Sequence, residues 1–85
     1  MYKIIVDDTV TLFFLENKIN ISGALKEVKN KLELFPRSYQ SYKGHDNIRI
    51  IKLNGLSLLY IIDESEKKIY IKDIIFSKSK IGFKL

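Results

Sequence analysis

The chain has 85 residues, enough for one domain around a single small core, and its 46% apolar content is spread along the whole length, which argues against disorder. It has no cysteine and one histidine, His45, which excludes a disulfide framework and a thiolate metal site and leaves too few ligands for zinc, so neither metal nor cofactor is expected. A formal charge of +5 favours an anionic partner without choosing among nucleic acid, an acidic protein and a membrane surface.

Residues 2–6, Tyr-Lys-Ile-Ile-Val, form a short β-rich run ended by Asp7 and Asp8 and predict a first strand. The run is too short and too soon acidic for a signal peptide, and no apolar stretch is long enough to cross a bilayer. A cytoplasmic protein with no membrane partner is therefore expected. Asp8 or Thr9 can cap a short helix over residues 10–17, with a strand as the alternative because of the β-branched content. Asn20 or Ser22 offers the next cap. Ile21, Leu25, Val28, Leu32 and Phe35 then recur at steps of three and four, with Lys26, Lys29 and Lys31 turned outward, and predict the main helix, which Pro36 stops.

Residues 36–46 are polar and turn-rich and read as an ordered connection. Residues 47–53 predict a strand, Asn54-Gly55 a two-residue hairpin turn, and residues 56–62 the returning strand. The acidic turn over residues 63–66 reads as a solvated loop. Residues 68–76 alternate as a last strand, with Ile69, Ile71 and Asp73 on one face and Tyr70, Lys72 and Ile74 on the other. Residues 77–85 are a basic tail without a clear period. The expected fold is one α+β domain over residues 1–85, ordered β-α-α-β-β-β, with two helices packed on an antiparallel-rich sheet.

Several segments resemble those of the RelE/ParE toxin superfamily. The opening Tyr2-Lys3-Ile4-Ile5-Val6 is similar to the family's first strand, and Leu32-Glu33-Leu34-Phe35-Pro36-Arg37 to its second helix running into a proline-arginine stop. The stretch from Tyr42-Lys43-Gly44 to Arg49 resembles the approach to the family's central hairpin, residues 50–60 that hairpin, and Ile69-Tyr70-Ile71-Lys72-Asp73-Ile74 its closing strand. The resemblance covers nearly the whole chain and rests on the order and spacing of these pieces. It implies a toxin held inactive by a cognate antitoxin protein. RelE-like members enter the ribosome and cut mRNA, whereas ParE-like members poison DNA gyrase, and the fold alone does not decide between them.

Metal-free RNA cleavage requires cations against the scissile phosphate and a group that moves the 2′-OH proton. Here the chain departs from the family: Ser57 stands where an arginine is usual, and Phe76 and Ser77 where a basic pair is usual. Matched residue by residue, the resemblance leaves Lys52 and Lys78 as candidate catalytic cations, and Lys80 lies near enough to join them. It leaves Lys43, Arg49 and Phe83 as candidate contacts to RNA or the ribosome. Arg49 and Lys52 are three apart, so strand alternation puts them on opposite faces unless a bulge intervenes. The plain alternatives are solvated charges for the lysines, a frayed terminus for the tail and a turn role for His45. The tyrosines Tyr39, Tyr42, Tyr60 and Tyr70 offer surfaces for RNA bases or for an antitoxin helix. A gyrase inhibitor and a non-catalytic binding module remain open beside the endoribonuclease.

Overall fold

A computed structural model describes residues 1–79 together with Gly82 and Phe83. The first strand, β1, runs over Lys3–Val6, and the residue after it caps helix α1, Asp8–Glu16: the Asp7 carboxylate accepts from the Thr9 amide at 2.9 Å. The cap thus lies one residue earlier than expected, and the expected segment is helical as far as Glu16, with Asn17 as its C-cap. Helix α2 covers Ile21–Leu34 and starts at Asn20, whose side-chain oxygen accepts from the amides of Ser22 and Gly23 and satisfies two free donors of the first turn. Its stripe buries Val28 and Leu32 completely, but Phe35 leaves it. As the residue before Pro36, Phe35 adopts φ −132° and ψ 60° and stands largely exposed at the helix end.

Four strands follow: β2 (Gln40–Tyr42), β3 (His45–Leu53), β4 (Leu56–Asp63) and β5 (Lys68–Phe76). Strand β2 is an addition to the expected order and falls inside the polar connection. It exists because Lys43 and Gly44 both take positive φ, 49° and 78°, and so turn the chain in two residues, as Asn54 and Gly55 do at 51° and 80°. The sheet order is β1-β5-β4-β3-β2, with β1 parallel to β5 and every other pair antiparallel.

Both helices pack on one face. Val10, Phe14, Val28 and Leu32 meet Ile51 and Leu53 of β3, Leu58, Tyr60 and Ile62 of β4, and Ile69, Ile71 and Ile74 of β5. The last three break simple alternation. Tyr60 is paired with Ile71 and Leu59 with Asp73, so Lys72 is an extra residue, a bulge in β5. The bulge corrects the expected faces: Ile74 joins Ile69 and Ile71 in the core, and Asp73 goes to the other side. Lys72 turns to the edge, where its Nζ lies 3.1 Å from the Asp7 carboxylate.

Tyr60 is the centre of this core. Its ring is fully buried, and its hydroxyl donates to the Pro36 carbonyl, which ties the end of α2 to the middle strand. Burial pushes the phenol pKa far above its ordinary value. Tyr60→Phe keeps the packing but leaves that carbonyl unmatched, so urea denaturation should show a loss of about 1–2 kcal/mol. An unchanged midpoint would mean that the bond contributes nothing.

Candidate functional site

The sheet face turned away from the helices carries the residues between the core positions. Its rows follow from the strand register. Lys52 is opposite Ser57, which is opposite Ile75; in the next row Gln40, Ile50, Leu59 and Asp73 lie side by side. The two rows are about 7 Å apart, the length of two strand residues.

Lys52 is exposed, at the end of the face near the Asn54-Gly55 turn. Beside it, Ser57 is only 4% exposed, and its hydroxyl lies 2.9 Å from that of Ser77. Ser77 is held there because its amide donates to the Gly55 carbonyl at 2.8 Å, and the Ser79 amide closes the next turn on the Phe76 carbonyl. This turn carries the exposed Lys78 at the same end of the sheet as Lys52. Ser57 and Ser77 are therefore neighbours, with Lys52 opposite Ser57 and Lys78 next in the chain to Ser77. Lys80 lies outside the described residues.

Lys43 and Phe83 form a separate group at the other end. The Phe83 ring meets Tyr42 edge-on at 5.8 Å, and the Lys43 ammonium sits over the same tyrosine at 5.2 Å. Tyr42 is beyond the Gln40–Ile50 pair, more than about 10 Å along the sheet from Lys52.

Arg49 belongs to neither group. It is opposite Tyr60, on the helix side, and its side chain is 13% exposed. Its guanidinium donates to the Asp46 carboxylate at 2.6 Å, to the Asp46 carbonyl at 2.9 Å and to the carbonyls of Tyr39 and Arg37 at 2.8 and 3.2 Å. The structure separates Arg49 from Lys52, as alternation requires, and gives its guanidinium a structural task. Arg37 continues the same lattice to Asp46 at 2.6 Å, Asn47 at 2.8 Å and Glu64 at 3.1 Å. Two of the tyrosines also turn out to be structural: Tyr60 is in the core and Tyr39 packs against it.

Glu64, in the turn expected to be solvated, accepts from Tyr2 at 2.6 Å and from Lys67 at 3.1 Å as well as from Arg37. These donors, the Tyr2 hydroxyl foremost, hold its carboxyl from an ordinary 4.5 down to about 2. Two residues on the open face were not singled out by the sequence. Asp73 is 7% exposed there, its carboxylate accepting from the Ile74 amide at 2.9 Å, and Leu59 beside it is fully buried. Alternation puts Asp73 on the face of Ile69 and Ile71 because the bulge has no sequence signal. Among the described residues, no three His, Cys, Asp or Glu side chains could together hold a metal ion, and no helix is long and apolar enough to cross a membrane.

No protein-family model matches the chain, and no curated protein does. Solved structures do. The crystal structure of the isolated E. coli RelE toxin superposes with a TM-score of 0.71 over 94% of this chain and 88% of RelE, at 16% identity. The chain has the RelE fold. The solution structure of the conserved hypothetical protein HP0892 from Helicobacter pylori shares it, with a TM-score of 0.66, 20% identity, and coverage of 89% of this chain and 94% of that one. On the RelE scaffold thus defined, this chain keeps two helices on one side and presents Lys52, Ser57, Ser77 and Lys78 at one end of the bare side.

The folded carboxyl of Glu64 is depressed, so its contribution to stability is complete above pH 4.5 and is lost as pH falls toward about 2. Wild type should therefore lose more stability across that window than Glu64→Gln, measured by urea unfolding at stepped pH. Equal slopes would remove Glu64 from the account.

Proposed function

We propose that this chain is the toxin of a two-component toxin–antitoxin pair, acting in the cytoplasm as a ribosome-dependent mRNA endonuclease and held inactive by a cognate antitoxin protein. The observation that carries the reading is the RelE fold over nearly the whole chain, with the exposed Lys52 and Lys78 at one end of the sheet.

In this reading Lys52 and Lys78 lie against the scissile phosphate and stabilise the charge that builds up when the 2′-oxygen attacks it. Lys80 belongs to the same basic segment. The Ser57–Ser77 hydroxyl pair lies between the two cations and supplies an O–H donor to a phosphate oxygen once its mutual bond is exchanged. Lysine brings charge without the planar fork of arginine, so the site positions the phosphate less tightly than an arginine-built one. Lys43 and Phe83, about four strand residues away, contact RNA or ribosome at a distance from the cut. Arg49 supports the scaffold under them.

The test is induction of the wild-type chain beside a Lys52→Ala/Lys78→Ala variant, with mRNA 5′ ends mapped in the same cultures. Growth arrest with in-frame cuts is expected for wild type, and at least about a hundredfold fewer cuts for the variant, the usual scale for loss of transition-state charge stabilisation. Arrest with intact mRNA, or with gyrase-dependent DNA damage, would overturn the endonuclease reading.

A further inference from the structure

Among the described residues, the large apolar side chains that are more than half exposed are Met1, Leu12, Leu15, Leu34 and Phe35. They fall into two groups, one at each end of β1. Helix α1, which carries Leu12 and Leu15, starts at Asp8, directly after the Asp7 that follows β1. Leu34 and Phe35 close α2 at the other end, where the Tyr2 amide donates to the Glu33 carbonyl at 3.3 Å and Met1 precedes it. Between the groups, β1 is the outer strand of the sheet. The amides of Lys3 and Asp7 donate inward, to the carbonyls of Lys67 and Ile71, each at 2.9 Å. By strand alternation the main-chain groups of Ile4 and Val6 then point outward from the edge. The opposite edge strand, β2, has three residues and a register shift between Ser41 and Tyr42, features that blunt an edge. Strand β1 has no such shift and stays in step with β5 from Lys3 to Val6.

We propose that β1 is a dimerisation edge whose partner is β1 of a second copy of this chain, antiparallel across a two-fold axis at Ile5. The outward groups set the register. Ile4 opposite the second copy's Val6, and Val6 opposite its Ile4, use every outward amide and carbonyl of both strands, which no other antiparallel register does. The same register puts Lys3 opposite the second copy's Asp7 at both ends of the ladder, an opposite charge for a residue that has Lys68 beside it within its own chain. The axis also exchanges the ends of the strand, so Leu34 and Phe35 of one copy come to the end where α1 of the other, with Leu12 and Leu15, begins. The five side chains expose roughly 600 Å² per copy, and the strand edge adds to it, against about 800 Å² per partner in a standard specific interface. Such a contact is self-complementary and closes as a dimer, which removes the β1 edge from solvent. Lys52 is on β3, with β5 and β4 between it and β1, so the pairing stands apart from the proposed RNA contacts and does not rest on the endonuclease reading.

Sedimentation velocity on the full chain between about 1 and 300 μM tests the dimer, and amide hydrogen exchange at both ends of that range tests the edge. The expected result is a concentration-dependent dimer in which the Ile4 and Val6 amides exchange at least about tenfold more slowly than in the dilute protein. Leu34→Ser/Phe35→Ser changes two side chains that are exposed in the single chain. It should weaken the dimer at least about tenfold with an unchanged far-UV spectrum. Phe76→Ser, five residues up β5 from the last pair with β1, should leave the dimer as strong as in wild type. A monomer throughout the range would overturn the proposal. A dimer whose Ile4 and Val6 amides exchange as fast as in the dilute protein would overturn the β1 edge, and so would a dimer weakened by Phe76→Ser and not by Leu34→Ser/Phe35→Ser.

Discussion

The pairing of Arg49 and Arg37 around Asp46 is the constraint on which the rest of the molecule depends. The segment between α2 and β3 is largely polar and holds only three residues of strand, so the burial of Pro36 and the packing of Tyr39 do not fix all of it. The rest is fixed by charge. Arg49 rises from β3 on the helix side and gathers the carbonyls of residues 37 and 39 with both the carboxylate and the carbonyl of Asp46. Arg37 reaches back to the same aspartate and on to Glu64, while Tyr60 holds the Pro36 carbonyl from below. The outcome is a β2 edge held in register, with Tyr42 at its tip. Without that edge neither the Lys43 group nor the contact with Phe83 would have a place. A charge lattice of this kind contributes because its donors are shared among main-chain oxygens that would otherwise lack partners, more than through the surface ion pairs taken singly.

The second constraint is the bulge at Lys72. One additional residue in β5 reverses the faces beyond it, which lets Ile69, Ile71 and Ile74 all enter the core and turns Asp73 outward. The bare face thereby acquires a buried carboxylate at its centre, and Lys52 and Lys78 are confined to one end of it. Beyond that end the middle of the face carries Gln40, Ile50, Leu59 and the carboxylate of Asp73. A single short patch of cations suits contact with one phosphate better than tracking a long backbone, for which a continuous basic groove is needed.

Much of this was legible in the sequence. The 3.6-residue period of α2, the Asn54-Gly55 turn and the apolar runs around it follow from local chemistry, and the opposition of Arg49 and Lys52 follows from strand alternation alone. What escaped has physical reasons too. A Lys-Gly turn carries a weaker signal than Asn-Gly, so β2 read as loop. The bulge is a property of pairing between strands, invisible within either one. Glu64 read as solvated because its partners Tyr2 and Arg37 are 62 and 27 residues away. The main-chain partners of Arg49 were not legible because an arginine on a strand looks the same whether it faces solvent or its own main chain.

The central claim is a division of labour, with arginines holding the scaffold and lysines meeting the phosphate. It is tested most directly by the rate at which purified Arg49→Lys and Lys52→Arg variants cut mRNA on stalled ribosomes, measured well below their melting temperatures. The account predicts that Arg49→Lys is less stable yet cuts at the wild-type rate, and that Lys52→Arg, with its bidentate fork, cuts at least as fast as wild type with unchanged stability. Loss of cutting in a stably folded Arg49→Lys, with Lys52→Arg indistinguishable from Lys52→Ala, would contradict it.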